Sequence, residues 1–156
     1  MNADSFIAIQ SLIVRYCQAH DAQNAAAASA CFSKDATYLG SGPGPEALRE
    51  GFQRVYETRS AQRRHVLTNF DIRFTSKDAA TVVAIEQMYT IEDGHAELTL
   101  VGRYYVEVVL EDSEWKIQFL EPRMDTTFEF ADTPQLTCKQ VEGEDGDTYY
   151  VLVPSA

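Results

Sequence analysis

The chain has 156 residues and a formal net charge of −11 at neutral pH, with 13 Lys and Arg against 24 Asp and Glu. This length suits one domain whose core is large enough to fold without disulfides or structural metals. The 45% hydrophobic content excludes a disordered chain, and the negative charge disfavours nucleic acids and anionic membranes as partners. We therefore expect a globular domain that binds a small molecule.

Cysteine spacing and the N-terminal segment narrow the class further. The three cysteines, Cys17, Cys31 and Cys138, form no Cys-x-x-Cys pair, which argues against a disulfide framework and a zinc site. The N-terminal segment has no basic region or cleavage pattern, and Gln10 and Arg15 interrupt its apolar residues. It therefore resembles neither a signal peptide nor a membrane span, and we expect a cytoplasmic protein.

The first third of the chain predicts helices. Apolar residues recur with helical spacing over residues 4–20, which predicts an amphipathic helix with one buried face. The alanine-rich residues 22–31 favour a second helix, and a short strand is expected at 36–39. After a Gly- and Pro-rich break, Pro45 suits the first turn of a third helix.

From residue 64 onward the hydrophobic period changes from 3.6 to 2. Short turns connect the resulting segments, and the Asp93-Gly94 pair is a strong hairpin signal. Two further segments flank an acidic stretch near the C-terminus and suggest a hairpin, although a mobile arm or a subunit contact would fit the same residues. The predicted strands are residues 64–75, 79–91, 96–110, 115–124, 137–141 and 148–153.

Helices followed by a run of long strands predict an α+β domain, with the helices packed on one face of a curved antiparallel sheet. No linker or internal repeat divides the chain. We expect one domain over residues 1–130 and a tail or hairpin over residues 131–156 that packs on this domain or on a neighbouring subunit.

The three histidines are the candidate general bases of the chain. His95 belongs to the Asp93-Gly94 turn, so we expect it in solvent. His20 lies on the apolar side of the first helix, either in the core or in a pocket. His65 begins the first long strand, where it could be a pocket base or an ordinary strand-end histidine.

Strict alternation along that strand assigns its side chains to two faces. One face would carry Val66, Thr68, Phe70 and Ile72 and would pack on the core. The opposite face would carry His65, Leu67 and Asn69 and would suit a polar-lined pocket.

Asp21 directly follows the first predicted helix. A carboxylate there opposes the helix dipole, so it needs a cationic or hydrogen-bonding partner. If His65 is that partner, Asp21 fixes the imidazole tautomer and leaves the second ring nitrogen free as a base. A solvated loop aspartate would also fit the sequence.

Short motifs with a common order run through most of the chain. They are Arg15-Tyr16, His20-Asp21, Cys31-Phe32-Ser33-Lys34-Asp35-Ala36, Arg64-His65, Thr68-Asn69, Gly102-Arg103-Tyr104 and Trp115-Lys116-Ile117. This pattern, over about residues 5–125, resembles the SnoaL-like branch of the NTF2-like superfamily. The resemblance implies an α+β cone, in which a strongly bent sheet wraps around helices and encloses a deep pocket.

Within that branch the chain is most similar to the scytalone dehydratase and hexachlorocyclohexane dehydrochlorinase families. Both contain cofactor-free lyases that use a His–Asp pair, and the resemblance assigns that pair to His65 and Asp21. It also places Tyr16 and His20 where members carry a pocket lysine or tyrosine. A homo-oligomer, either a dimer or a trimer, is a further implication.

Other candidates are weaker. Arg123 shares an alternation face with Ile117 and could anchor an anionic group at the pocket mouth, or it could pair with Glu121. Tyr38 could donate to a substrate oxygen or simply pack in the core. No spacing enforces a metal-ligand set, and no Rossmann or Walker motif is present, so we expect neither a metal nor a nucleotide cofactor.

These residues predict a cofactor-independent lyase of the dehydratase or dehydrohalogenase type. Its substrate would be small, hydrophobic and cyclic, and a His65–Asp21 dyad would remove a proton from it. An isomerase or polyketide-type cyclase could use the same pocket. A non-catalytic module for small-molecule binding or assembly is the third possibility.

Overall fold

The computed structural model describes residues 3–125, 136–144 and 146–155. Helices come first and antiparallel strands follow, which confirms the predicted α+β class. No described helix is both long and apolar enough to cross a membrane. The elements are α1 (Ala3–Asp21), α2 (Ala25–Ser29), α3 (Gly44–Thr58), β1 (Gln62–Phe74), β2 (Ala79–Glu92), β3 (His95–Glu111), β4 (Glu114–Met124), β5 (Leu136–Glu142) and β6 (Thr148–Pro154).

Helix α1 buries the face that its apolar spacing predicts. Ile9, Ile13 and Tyr16 are at most 1% exposed. Helix α2 is shorter than the predicted 22–31 segment, because the chain turns after α1 and begins again at Asn24. The Asn24 side chain accepts a hydrogen bond from the Ala27 N–H (3.0 Å), a typical N-cap.

The strand predicted at residues 36–39 is wrong. This part of the chain forms a tight turn in which the Tyr38 and Ser41 backbones exchange two hydrogen bonds of 2.9 Å. Leu39 and Gly40 both have positive φ (49° and 76°), which is the geometry of a two-residue type I′ turn. Helix α3 then begins at Gly44 with a proline in its first turn, as predicted.

Within the described residues, six strands form one sheet in the order β1-β2-β3-β4-β6-β5, and their pairings are all antiparallel. Asp93-Gly94 joins β2 to β3, and Asp112-Ser113 joins β3 to β4. All four turn residues have positive φ, so both connections are tight hairpins with the twist that flanking strands require.

Three register shifts interrupt the alternation among the described strands, and two of them bear on the predicted site residues. In β1 the register shifts between Thr68 and Asp71, and Asn69 has a φ of 53°. In β4, Gln118 is the extra residue opposite Glu107 and Val108. An extra residue turns the side chains that follow it to the other face of the sheet. In both strands the inward side chains are therefore odd-numbered before the bulge and even-numbered after it.

The bulge in β1 changes which of its residues are buried. Val66 is 40% exposed and Thr68 is also exposed, so the face expected to pack on the core lies outward there. Arg63, His65 and Leu67 point inward before the bulge, and Phe70, Ile72 and Phe74 point inward after it.

The core lies between the three helices and the inner face of the sheet. At the C-terminal side, β5 and β6 form a hairpin, and β6 extends the sheet by pairing with β4 at Arg123 and Met124. The expected domain boundary at residue 130 lies outside the described residues. The hairpin matters for the site because Leu152 and Pro154 of β6 line its cavities.

Candidate active site

The last residue of α1 and the fourth residue of β1 meet on the inner face of the sheet. His65 Nδ1 lies 2.5 Å from Asp21 Oδ1, and the backbone N–H of His65 donates to Asp21 Oδ2 (3.1 Å). Both side chains are almost removed from solvent, with exposed fractions of 5% for His65 and 9% for Asp21. The structure thus brings together the two residues that the sequence predicts as a dyad.

This geometry determines how the His65 ring is used. An ionised carboxylate only accepts hydrogen bonds, so His65 Nδ1 carries the hydrogen and Nε2 keeps its lone pair. Because Asp21 is held by both the ring and the backbone of His65, the imidazole has little freedom to rotate. A base oriented in this way needs no rearrangement before it accepts a proton.

Arg59 stabilises the end of α1, where Asp21 by itself would oppose the helix dipole. Its guanidinium donates to the carbonyl of His20 (2.6 Å) and more weakly to that of Asp21 (3.4 Å). The same group lies 5.0 Å from the centre of the Tyr56 ring. A cation at a helix C-terminus is favourable, so Arg59 offsets the unfavourable position of the carboxylate.

Glu86, on β2, is a site residue that the sequence reasoning missed. Its side chain is 2% exposed, and Oε1 lies 3.6 Å from His65 Nε2. Its other oxygen, Oε2, has no hydrogen-bond partner among the described residues. His65 therefore has a carboxyl group on each side of its ring.

A signal for Glu86 was present in the sequence. The inward positions of β2 alternate, and Glu86 interrupts a series that is otherwise apolar: Ala80, Val82, Ala84 and Met88. Carboxylates are almost never fully buried unless they are paired, so an acid in such a series points to a special role.

Burial raises the pKa of Glu86 from its ordinary 4.5 to about 7, although His65 and the Tyr104 hydroxyl act in the opposite direction. Asp21 adds a further, smaller raising effect through charge repulsion. A carboxyl group with this pKa is still mostly protonated at pH 6, where an ordinary glutamate has lost its proton. The two acids beside His65 thus differ in environment, as acids with different roles do in enzymes.

Aromatic side chains enclose the other side of the dyad. The His20 ring lies 5.3 Å from that of His65, and His20 Nδ1 is 2.6 Å from the Tyr56 hydroxyl. Burial lowers the pKa of His20 well below its ordinary value, with a further contribution from His65. The Tyr16 hydroxyl is buried and has no hydrogen-bond partner within 3.5 Å among the described residues.

Cavities lie on two sides of these residues. One of about 730 Å³ lies at the end of α1 and is lined by Asp21 and His65 with Gln18, Gln62 and Arg64. The inner cavity, about 40 Å³, is bordered by polar groups of His20, Arg63, His65, Glu86 and Tyr104, and it has room for about one water molecule. Its remaining walls are largely apolar: Tyr38, Leu39, Phe52, Val55, Met88, Leu100, Pro122 and Leu152.

A further cavity, the outer groove, has a volume of about 500 Å³ and is larger than the inner cavity. It runs between α3 and the turn at Tyr38–Ser41, and it shares the walls Tyr38, Leu39, Phe52 and Val55 with the inner cavity. These four residues therefore lie between the outer groove and the inner cavity.

Comparison with known proteins now identifies the domain. The profile of the SnoaL-like domain matches residues 4–121, which is most of the chain. The chain belongs to the SnoaL-like domain family. No curated protein matches the sequence significantly. The family is therefore assigned from the domain match, and the fold is compared with solved structures.

Several solved structures resemble this SnoaL-like domain. A proposed aromatic ring hydroxylase from Novosphingobium aromaticivorans has 26% identity, a TM-score of 0.70, and coverage of 83% of this chain and 94% of the other. The hexachlorocyclohexane dehydrochlorinase LinA-type3 from Novosphingobium barchaimii has 25% identity, a TM-score of 0.66, and coverage of 82% and 91%. A proposed scytalone dehydratase from N. aromaticivorans, at 21% identity, has a TM-score of 0.67 and coverage of 83% and 91%. These likenesses confirm the NTF2-like fold that the motifs predict.

Two predicted site residues of the SnoaL-like domain lie elsewhere. Asn69 is exposed at the β1 bulge, so it does not share the inner face with His65. Arg123 lies on the outer face because Gln118 shifts the alternation of β4. There it bonds Glu121 (2.5 Å) and stacks on Tyr105, 3.7 Å from the ring centre. The pairing with Glu121 that the sequence allows is thus present, on the face turned away from the inner cavity.

The remaining predicted residues gather as a group in the SnoaL-like domain. His20 and Tyr38 line the inner cavity with His65, and the Tyr16 ring packs against both of them. His95 is exposed at the start of β3. No group of three described His, Cys, Asp or Glu side chains could hold a metal ion. At His65, Nδ1 faces Asp21 and Nε2 faces Glu86.

Proposed function

We propose that this protein is a cofactor-independent lyase in which His65, oriented by Asp21, removes a carbon-bound proton from a small, cyclic and largely apolar substrate. The observation that carries the proposal is the 2.5 Å Asp21–His65 contact at the wall of a buried cavity. Dehydration and dehydrohalogenation both begin with this proton transfer. Within this class, the leaving group distinguishes the two.

The surroundings of the dyad suit a developing charge. A positioned base contributes about 10²–10⁴-fold to a rate. Tyr38 lines both the inner cavity and the outer groove, so its hydroxyl could donate to a substrate carbonyl as it becomes an enolate. Burial raises the pKa of this phenol above its ordinary value, so it remains a donor at neutral pH.

The substrate would enter through the outer groove. The inner cavity of about 40 Å³ is too small for a ring, whereas the outer groove of about 500 Å³ falls within the usual range for ligand pockets. We propose that Leu39 and Val55 move aside so that the reacting carbon reaches His65 Nε2. Both are short aliphatic side chains, and rotation about their side-chain bonds needs no change in the backbone.

Similarity to one relative supports this reaction class. The 25% identical dehydrochlorinase from N. barchaimii acts, by its name, on hexachlorocyclohexane, a small apolar ring. The substrate class proposed for this chain shares those features. The dehydratase and dehydrohalogenase forms would differ only in the group that departs.

An isomerase is the second candidate, and the position of Glu86 favours it. A carboxyl group 3.6 Å from His65 Nε2 could return a proton to the substrate at another carbon after His65 has removed one. A polyketide-type cyclase would also begin with proton removal at this dyad. Product mass separates these candidates, because elimination loses a small molecule whereas isomerisation conserves mass.

Proton abstraction can be tested before the natural substrate is known. Purified protein in D₂O is incubated with cyclohexanone, and deuterium incorporation next to the carbonyl is followed by NMR. Elimination is followed in parallel with 3-chlorocyclohexanone by chloride release. We expect wild-type protein to accelerate both reactions and His65→Ala to lose at least about 10²-fold of each acceleration.

The exposed His95 offers a matched control, because His95→Ala removes a histidine that lies far from the dyad in register. His95→Ala should retain wild-type rates. Equal rates in wild type and His65→Ala would refute the lyase and the isomerase together. Saturable binding of the ring ketones without exchange would then favour a non-catalytic binding module.

A further inference from the structure

Glu86 is the buried ionisable group that the dyad alone does not explain. It lies on the inner face of β2, diagonally opposite His65 in the β1–β2 register, and its side chain is 2% exposed. Oε1 faces His65 Nε2 at 3.6 Å, and Oε2 has no partner among the described residues although it is buried. An uncompensated charge in such a place is costly, so the neutral acid is favoured.

Its neighbours come from each element packed around the inner cavity. Asp21, at the end of α1, is the nearby carboxylate that repels an ionised Glu86, and His65 is the group that attracts one. The remaining titratable or charged side chains are Tyr16 and Cys17 of α1, His20 of α1, Tyr38 of the turn, Arg63 of β1 and Tyr104 of β3.

We propose that Glu86 is a second catalytic residue, a general acid that protonates a departing hydroxyl group while His65 removes the carbon-bound proton. This inference rests on the proposed lyase function and makes it more specific. It assigns dehydration as the reaction and a cyclic β-hydroxy ketone as the substrate class. A chloride needs no proton to depart, whereas a hydroxyl group leaves readily only as water.

The protons balance without an external reagent. His65 Nε2 takes the proton next to the carbonyl, a carbon–carbon double bond forms, and the carbon–oxygen bond breaks. Glu86 gives its proton to the departing oxygen, which leaves as water. The imidazolium of His65 then returns its proton to the Glu86 carboxylate, 3.6 Å away in the structure. Both groups regain their starting states, and the net reaction converts the hydroxy ketone into an enone and water.

The separation of the two groups also predicts a stereochemical course. An acid and a base that lie 3.6 Å apart on one wall of a cavity reach the same side of a substrate ring. Hydrogen and hydroxyl would therefore leave from the same face. A substrate labelled with deuterium on one face next to the carbonyl would report this as selective loss of the label cis to the hydroxyl.

The experiment compares two probes that give one product. Both 3-hydroxycyclohexanone and 3-chlorocyclohexanone yield cyclohex-2-enone, which is followed by its ultraviolet absorbance, with uncatalysed rates subtracted. The variants are Glu86→Gln, which keeps the shape of the side chain, and Glu86→Met, which removes its polar atoms. Glu107→Gln, on the outward and exposed side of β3, is the control.

We expect Glu86→Gln and Glu86→Met to lose at least about 10²-fold in the dehydration rate. Chloride elimination and deuterium exchange into cyclohexanone should fall by at least about tenfold less than dehydration, because the removal of the carbon-bound proton by His65 does not use the Glu86 proton. Wild-type dehydration in Glu86→Gln would overturn the role of Glu86 while leaving the lyase intact. Absence of exchange and of both eliminations in wild-type protein would overturn the lyase and this inference with it.

A measurement without substrate tests the same point. The infrared difference spectrum between wild type and Glu86→Met isolates the Glu86 carboxyl group. We expect the carbonyl band of a protonated acid at pH 6, with a shift in D₂O, and its replacement by carboxylate bands at pH 9. A carboxylate already present at pH 6 would show that Glu86 has no proton to give, and it would overturn the proposal.

Discussion

The inner face of the sheet has two ends with opposite character. At one end Val108, Trp115 and Ile117 are buried, and Phe74 packs against Trp115 with ring centres 6.0 Å apart. At the other end the buried residues include His65 and its two flanking carboxyl groups. Burial of apolar side chains stabilises a fold, whereas burial of polar groups costs stability unless they are fully bonded. The apolar end therefore stabilises the fold, whereas the polar end lowers its stability and carries the reactive groups.

The largest effect on stability should come from the apolar end. Ile117 is 0% exposed, so Ile117→Ala removes buried methyl groups and leaves a cavity. We expect the free energy of unfolding to fall by about 2–5 kcal/mol, as measured by urea denaturation. The deuterium exchange rate per folded molecule should remain near wild type. A large loss of exchange in the folded variant would contradict the division between the two ends.

At the polar end, Asp21→Asn should reduce activity far more than stability. The amide has one acceptor where Asp21 uses two, for the ring and the backbone N–H of His65. The imidazole would lose its fixed tautomer, and we expect a fall of about 10²-fold in proton exchange. The same measurement on Asp71→Asn, an exposed aspartate of β1, provides the control.

The pH dependence of stability separates Glu86 from other groups. Between pH 4.5 and about 7 the folded protein keeps a proton on Glu86 that the unfolded chain has released, because the folded pKa is raised. Stability therefore falls as pH rises through this interval, by an amount on the order of 3 kcal/mol at most. Glu86→Gln removes this contribution, so its stability relative to wild type should increase from pH 4.5 to 7 and then level off.

His20 acts in the opposite direction in the wild-type protein. Its pKa is lowered by burial, so the unfolded chain binds a proton that the folded protein does not, and stability falls as pH drops below about 6.5. This contribution is common to wild type and Glu86→Gln and cancels in their difference. Denaturation of both proteins at pH 5 and pH 8 tests the prediction, and a constant difference would contradict a raised pKa for Glu86.

The smallest effects are expected outside both ends. Arg123→Gln on the outer face should change exchange by less than about twofold and stability by about 1 kcal/mol or less, since partly exposed ion pairs contribute little. Asn69→Gly should likewise leave activity unchanged, because glycine readily adopts the positive φ at the bulge. A severe loss of activity in either variant would show that the outer face takes part in the reaction.

Most of the fold was predictable from the sequence, because long periodic segments and the Asp93-Gly94 turn determine strands and their neighbours. The dyad was predictable from the resemblance and from the need of Asp21 for a partner. Asn69 and Arg123 were misplaced because bulges depend on strand pairing, which a single sequence does not display. Glu86 was missed although alternation marks it. The expected homo-oligomer stays a prediction.

The bulge at Asn69 also affects how the sequence of this domain can diverge in evolution. His65 and Phe74 both point inward although they are nine positions apart along β1. In a regular strand, residues an odd number of positions apart lie on opposite faces. Deleting one residue at the bulge would invert one half of the strand against the other, whereas substitutions in either half leave the frame of the other intact. The strand thus contains two segments that can vary independently, one for packing and one for chemistry, and new substrates can be sampled without rebuilding the core.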